Sequence, residues 1–250
     1  MTTTKTIVIT GGLGFIGARF IKCVYENTQF KIINLDKHTY AADHDRIPLP
    51  IRLDVDRYSF EKMDIRNLSE GSSPWRLKKE LLKASYVVNF AAESHVDNSI
   101  NDGRPFVRSN VEGVLSLLEF FKSSKNLKKF VQISTDEVYG DMTEVRGEQA
   151  SDESYPLKPS SYYSASKAGA DLLVQSAERT FGIPYLITRS CNNFGPGQHE
   201  EKFLPTVFKS IKNGLPIPVY GDGEQVREWM HVDDNVANIL ELTQSTKAVN

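Results

Sequence analysis

The sequence predicts an α/β chain: a doubly wound parallel sheet with helices on both faces. Two observations carry this reading. Short β-branched or apolar runs at 6–10, 30–35, 60–63, 86–90 and 130–133 alternate with segments of helical periodicity, the pattern of parallel strands joined by crossover helices. Polar residues collect where those runs end, as they do when a ligand sits beyond the carboxyl ends of the strands in an open sheet.

Bulk properties narrow the class further. A chain of 250 residues is long enough for a core covered on two faces. The formal net charge is −2, so there is no basic excess and nucleic acid is not an expected partner. Lys122, Lys125, Lys128 and Lys129 read as the solvated end of a helix and its following loop. Cys23 and Cys191 form neither a disulfide framework nor a metal-ligand spacing, which fits a reducing compartment and no metal site. No apolar run approaches the roughly 20 residues needed to span a bilayer. The first residues lead directly into a strand without room for a signal peptide. A cytoplasmic protein with no membrane partner is expected.

In chain order, Thr6-Ile7-Val8-Ile9-Thr10 is the first strand, and Gly11, Gly14 and Gly17 follow at a G-x-x-G-x-x-G spacing that opens a helix through Phe15 and Ile16. Such a turn brings backbone N–H groups and a helix N-terminus to a pyrophosphate; tight strand–helix packing is the plainer alternative. The second strand ends at Asp36, about 20 residues on, where a carboxylate accepts from adenosine ribose hydroxyls and repels a 2′-phosphate. That favours NAD, with Lys37 and His38 tempering the preference. Residues 41–57 read as a Pro-rich, charged loop. The third strand, 60–63, ends at Asp64-Ile65, placed to flank an adenine or to cap a turn. The fourth ends at Ala91-Ala92-Glu93-Ser94-His95; small residues there let a flat cofactor approach, and His95 reads as structural or at the substrate's edge. Pro105 suits the first turn of a long helix with apolar positions Val107, Val111, Val114, Leu115, Leu118 and Phe121.

The fifth strand runs into Ser134-Thr135-Asp136-Glu137-Val138-Tyr139-Gly140. Ser134 followed by Glu137 is a literal capping box; two carboxylates and a hydroxyl at a strand end are also a candidate acid–base site. Residues 148–159 form a polar loop with two prolines, read as a lid. On the next helix Tyr163 and Lys167 are four apart and share a face about 5–6 Å apart at Cβ. A free phenol titrates near ~10. The ammonium of Lys167, together with a positive nicotinamide ring, is expected to favour the phenolate.

Taken together, these motifs resemble the extended short-chain dehydrogenase/reductases, and more closely the nucleotide-sugar 4,6-dehydratases of the dTDP-glucose 4,6-dehydratase type. The resemblance runs through 10–17, 35–41, 91–97, 134–140, the Tyr163/Lys167 pair, Asn192-Asn193-Phe194-Gly195-Pro196, 219–223 and Arg227-Glu228-Trp229. The adjacent Asp136 and Glu137 are its most specific part, since related 4-epimerases usually lack both acids. It implies a Rossmann-type NAD-binding domain over 1–190 and a partial substrate-binding region, interleaved with it, over 191–250. It also implies a homodimer formed through the helices at 105–122 and 160–181.

The implied reaction is NAD-dependent loss of water from dTDP-glucose or UDP-glucose to the 4-keto-6-deoxy sugar nucleotide, an early step toward deoxysugars such as rhamnose. Tyr163 would take the C4 hydroxyl proton as hydride passes to NAD. Glu137 would remove the C5 proton, and Asp136 would protonate the departing C6 hydroxyl. Thr135 would bind the C4 oxygen, and Lys167 would sustain the phenolate. Gly11, Gly14, Phe15, Ile16, Gly17, Asp36, Lys37, Asp64, Ile65, Ala91, Ala92, Ser94, Ser109, Ser134, Tyr163, Lys167 and Asn193 would face the cofactor. Thr135, Asn192, Lys202, Phe203, Pro218, Val219, Tyr220 and Arg227 would face the sugar nucleotide, Arg227 as a charged fork on the diphosphate. The alternatives are a sugar-nucleotide 4-epimerase, a UDP-glucuronate decarboxylase, or a non-catalytic dinucleotide-sensing module, which would need no phenolate.

Overall fold

The structure is a computed structural model and describes residues 4–68, 75–140, 151–219, 221–223 and 226–247. At its centre six strands lie parallel: β1 (Thr6–Thr10), β2 (Lys31–Asp36), β3 (Tyr58–Lys62), β4 (Tyr86–Asn89), β5 (Lys129–Thr135) and β6 (Tyr185–Ser190). Their order is β3-β2-β1-β4-β5-β6. The winding reverses between β1 and β4, and a crevice opens at the carboxyl ends of those two strands. β4 and β5 are buried along their whole length, as expected of strands covered on both faces.

Three polar residues break this apolar rule, and they answer one another. Thr10, Asn89 and Gln132 are register neighbours on β1, β4 and β5. Thr10 Oγ1 donates to Asn89 Oδ1, and Asn89 Nδ2 donates to Gln132 Oε1 at 2.8 Å. Each buried polar group thus has a partner, which removes most of the cost of desolvating it. The ladder lies beneath the crevice floor.

One face of the sheet is covered by α1 (Phe15–Asn27) and α9 (Val232–Gln244), which bury Phe20, Val24, Val236 and Ile239 with β1 and β2. The other is covered by α6 (Gly113–Phe121) and α7 (Tyr162–Phe181), which bury Leu117, Phe121 and Val174 against β4 and β5. A second, two-stranded parallel sheet pairs β7 (Asn192–Phe194) with β8 (Trp229–His231), and α8 (Phe203–Lys212) lies between them in sequence. No helix among the described residues is long and apolar enough to cross a membrane.

Several boundaries differ from expectation. β3 begins two residues earlier than the apolar run because Tyr58 is buried and its hydroxyl receives Asn34 Nδ2. The expected loop 41–57 contains a 3₁₀ turn at His44–Arg46 and α2 (Leu49–Leu53); α3 spans Trp75–Leu81. The helix around Pro105 is continuous but not uniform: α5 (Arg104–Phe106), after the short α4 (Val96–Asn101), leads into a π-helical segment, Val107–Glu112, before α6. A π turn winds wider than an α turn, so the inward face changes. Phe106 and Asn110 are buried, whereas Val107 and Leu115, expected inside, are about half exposed.

Candidate active site

The β1–α1 turn is built from close backbone packing. Gly11 has φ +69°, and a Cβ there would lie 2.6 Å from the backbone of Ala91; at Gly17 a Cβ would lie 2.3 Å from Gly11 O. Both positions therefore exclude a side chain. Gly14 differs: it is the N-cap of α1, makes no side-chain capping bond, and is met only by Gly11 O at 3.3 Å. The first-turn N–H groups of α1, from Phe15 to Gly17, are left without a side-chain cap, which fits an anion such as a pyrophosphate. Ala91 and Ala92 follow β4 on the other wall of the same crevice.

Asp36 ends β2 and takes Leu13 N on Oδ2 (3.0 Å) and His38 N on Oδ1 (2.7 Å). Its carboxylate is thus aimed at the glycine turn. Lys37 is drawn away from it by Asp64, at 3.1 Å, and Asp64 also receives the Arg66 guanidinium at 2.7 Å. Hydrogen bonds from Arg66 and Lys37 outweigh burial and hold the Asp64 carboxyl low, at about 2. Lys37, which tempered the NAD preference in the sequence, is therefore paired elsewhere. Asp64 is also the N-cap of the Ile65–Asn67 turn, so its two anticipated uses coexist. These residues fit an adenosine dinucleotide without a 2′-phosphate.

The turn after β5 carries the acid–base pair. It is a 3₁₀ helix, Asp136–Tyr139, whose N-cap is Thr135, not Ser134: Thr135 Oγ1 accepts from Glu137 N (3.3 Å) and donates to Asp136 Oδ1 (3.1 Å). The capping box read at Ser134/Glu137 is therefore corrected. Ser134 is taken by another partner, donating to Asp171 Oδ2 at 3.0 Å. Burial pushes the carboxyls of Asp136 and Glu137 up, and Asp136 pushes Glu137 further, against the pull of Arg227 and Lys202. A capping box does form at Ser161/Ser164, where Ser164 N donates to Ser161 Oγ and Ser161 N to Ser164 Oγ, both at 3.0 Å.

That cap starts α7 so that Tyr163 and Lys167 face the turn. Burial and the Glu137 charge push the Tyr163 phenol up, opposed by a hydrogen bond with Thr135. Lys167 is almost fully buried and donates to Ile133 O, and burial pulls it down to about 8. In the protein alone the Lys167 ammonium is turned to the strand carbonyl, so the second positive charge expected beside the phenol has to come from the cofactor ring. An oxidised nicotinamide, when bound, supplies that charge and accepts hydride.

On the substrate side the anticipated residues divide. Lys202 Nζ reaches Ser94 O at 3.2 Å, and Lys202 and Arg227 both act on Glu137. Phe203 packs against Trp229 with ring centroids 6.2 Å apart. Asn192 lies on β7 beside Asn193, whose side chain is spent within the protein: it accepts from Asn235 (2.8 Å) and donates to Cys191 O (3.0 Å). Pro218 and Val219 lie in the chain after α8, Val219 well exposed; Tyr220 lies outside the described residues, as do 148–150 of the expected lid. His95 is the N-cap residue of α4, 3.7 Å from Glu201, away from the acid–base turn's own contacts. Among the described residues no group of three or more His, Cys, Asp or Glu is placed to hold a metal.

Two supporting residues escaped the sequence reading. Ser109 is half-buried, but its neighbour Asn110 is the anchored one: its amide bonds both backbone groups of Glu93 (2.9 and 3.0 Å) and Ser166 Oγ (2.8 Å), tying the loop after β4 to α7. An Asn inside an apolar helical stripe was the available signal. Arg46 donates to the carbonyls of Leu13, Ala41 and Gly197, joining the glycine turn to the start of the second lobe. Nothing in its local pattern marked it.

Comparison with known proteins matches this arrangement. Residues 7–250 fit the family described as NAD dependent epimerase/dehydratase. The chain is 45% identical over 232 residues to the low-salt glycan biosynthesis protein Agl12 of Haloferax volcanii, spanning 92% of this chain and 70% of that protein. It is 42% identical over 250 residues to the dTDP-glucose 4,6-dehydratase of Haemophilus influenzae, spanning 95% and 71%. Among solved structures, DesIV, the dTDP-glucose 4,6-dehydratase of Streptomyces venezuelae with NAD bound, superposes with a TM-score of 0.85 at 39% identity over 95% of this chain and 72% of that one. The UDP-glucuronic acid 4-epimerase of Bacillus cereus, with NAD, gives 0.86 at 27% identity over 98% and 74%. With a sheet wound as 3-2-1-4-5-6, a glycine turn at its switch point and a Tyr-Lys pair beside the fifth strand, this chain belongs to the NAD-dependent epimerase/dehydratase family.

Proposed function

We propose that the chain catalyses the NAD-dependent dehydration of a nucleoside-diphosphate glucose, dTDP-glucose in the first instance, to the 4-keto-6-deoxy sugar nucleotide. The observation that carries this reading is the Asp136–Glu137 pair on a turn whose N-cap, Thr135, also meets the Tyr163 phenol. An epimerase has use for the phenol but no clear use for two adjacent, partly buried acids. Identities of 37–42% to dTDP-glucose 4,6-dehydratases, against 24–27% to the UDP-sugar epimerases, support the same choice and favour thymidine over uridine.

In this mechanism Thr135 binds the C4 oxygen and Tyr163 removes its proton as C4 is oxidised. The ketone acidifies C5, and Glu137 takes that proton as general base. Asp136, kept protonated by burial, gives its proton to the C6 hydroxyl, which departs as water. The C5=C6 bond so formed is closed by the returning hydride at C6 and a proton at C5, so no net redox occurs. Like-charge crowding of two partly buried carboxyls favours one protonated and one ionised. Arg227 and Lys202 lie on the Glu137 side, where a diphosphate would compensate them.

Residues 1–190 are proposed to hold the dinucleotide and 191–250 to contribute to the sugar-nucleotide site, with α9 returning to the sheet. A cytoplasmic homodimer is proposed on the apolar side chains that α5–α6 and α7 leave exposed, among them Val107, Leu115 and Leu172, and on two unpaired cysteines. Sedimentation should give twice the chain mass. Incubating dTDP-glucose with the protein and NAD, without reductant, should give a product lighter by one water; a C4 epimer alone would overturn the dehydratase reading.

A further inference from the structure

We propose that Asp171 is a positioning residue for the reaction above: one of its oxygens ties the acid–base turn to α7, and its carboxylate shares the helix face that carries Lys167 and Tyr163. The proposal rests on the proposed function for its kinetic meaning, and on the following geometry for its existence. Tyr163, Lys167 and Asp171 are spaced four apart on α7 and share one face. Asp171 is fully buried. Its Oδ2 accepts from Ser134 Oγ and from Arg189 Nε, each at 3.0 Å.

Arg189 sits directly across from Ser134 in the β5–β6 register. Its Nη1 donates to the Tyr139 hydroxyl at 2.8 Å, and its guanidinium lies 5.2 Å from the centre of that ring. Ser134 and Tyr139 are the two ends of the turn that carries Asp136 and Glu137. One ion pair therefore holds both ends, from a helix and a strand that are remote in sequence.

A buried ion pair is weak evidence for stability, because desolvation offsets most of its attraction. Placement next to Lys167 gives this one a second use. Tyr163 and Asp171 flank Lys167 on its own helix, Asp136 and Glu137 on the facing turn act on Tyr163, and Arg189 on β6 pairs with Asp171. Of these, Asp171 is the one that holds the lysine charged against its burial. The other oxygen of Asp171, Oδ1, is buried with no hydrogen-bond partner among the described residues, so its cost is electrostatic, not a matter of fit.

That asymmetry makes Asp171→Asn a clean experiment. An amide oxygen at the Oδ2 position keeps both hydrogen bonds and the charge is lost, while the NH₂ falls where Oδ1 has no partner and adds a desolvation cost to stability. The Lys167 Nζ titration, followed by NMR in wild type and variant, is expected to move down by about one pH unit or more. The upper limb of the pH–rate profile for C4 oxidation should move with it, while KM for the sugar nucleotide stays within about twofold. An unmoved Lys167 titration, or a rate loss equal at every pH, overturns the proposal and leaves Asp171 merely structural. Should the protein turn over no sugar nucleotide, the proposed function fails, yet the Lys167 titration still decides this one. Should Asp171→Asn fail to fold, Arg189→Gln serves: it removes the cation that holds the Asp171 carboxyl ionised against its burial, so Lys167 should titrate lower, and no change or an upward change overturns the proposal.

Discussion

The two turns that make this site are held in opposite ways. The β1–α1 turn is held by its own backbone, with Gly11, Gly14 and Gly17 packed on one another and on Ala91. The turn after β5 is held by side chains from afar: Asp171 bonds Ser134 across 37 positions, and Arg189 bonds Tyr139 across 50. The first turn presents uncharged N–H groups to an anion; the second presents carboxyls that burial pushes up. A binding turn needs shape, and shape is local. A turn that moves protons needs a particular electrostatic environment, and that is assembled by the whole fold.

The largest expected effect tests the chemical side of this contrast. Glu137→Gln keeps the turn's shape and removes its base, so C4 oxidation should persist while elimination slows by about 10²–10⁴-fold. NADH absorbance should then accumulate in a single turnover; unchanged product formation would remove Glu137 from the reaction. The same variant should be more stable at neutral pH. Glu137 has a folded pKa above its unfolded one, so its favourable contribution is present below the unfolded value and is lost as pH rises through the folded value. Gln escapes that loss, and a thermal melt should show it.

The converse break is steric. Gly17→Ala places a methyl 2.3 Å from Gly11 O, which is backbone and has no easy retreat. A cost of about 1–3 kcal/mol is expected from overpacking, with weaker binding of ADP-ribose. Calorimetry should find both; a variant of wild-type stability and affinity would mean that the turn is not held as described.

Legibility in the sequence follows the same division. The first five strands, the glycine turn, Asp36 and the Tyr163/Lys167 pair were readable because each is a short-range pattern, whereas β6 (Tyr185–Ser190), β7 and β8 were not read. The acids were visible as a pair, but their support was not. Ser134 reads as a cap only until Asp171 and Arg189 are known to reach it, and the true cap, Thr135, differs by one residue. The helix stripe through Val107, Val111 and Leu115 failed for a local reason: a π turn shifts the inward face and hands it to Asn110. Periodicity analysis assumes 3.6 residues per turn throughout, so a polar residue bought into the core by a wider turn looks like noise.

The smallest expected effect compares the signs of the carboxyl shifts at the two ends of the crevice. Asp136, Glu137 and Asp171 are pushed up by burial, whereas Asp64 is held down, at about 2, by Arg66 and Lys37. The consequences for acid stability are opposite. A depressed carboxyl contributes stability above its unfolded value, near 3.8, and that contribution is lost as pH falls through about 2. The buried acids lose nothing on acidification, since protonation relieves them. Asp64→Asn should therefore lower stability at pH 5–7 by on the order of 1 kcal/mol after solvent screening, with the deficit vanishing toward about pH 2. Freed from Asp64, Lys37 and Arg66 also leave more positive charge beside Asp36, so 2′-phospho-ADP-ribose should gain on ADP-ribose by up to about tenfold. Chemical denaturation across pH and a paired calorimetric titration measure the two effects. A deficit that persists undiminished at the acid end would mean that Asp64 acts through packing and not through its charge.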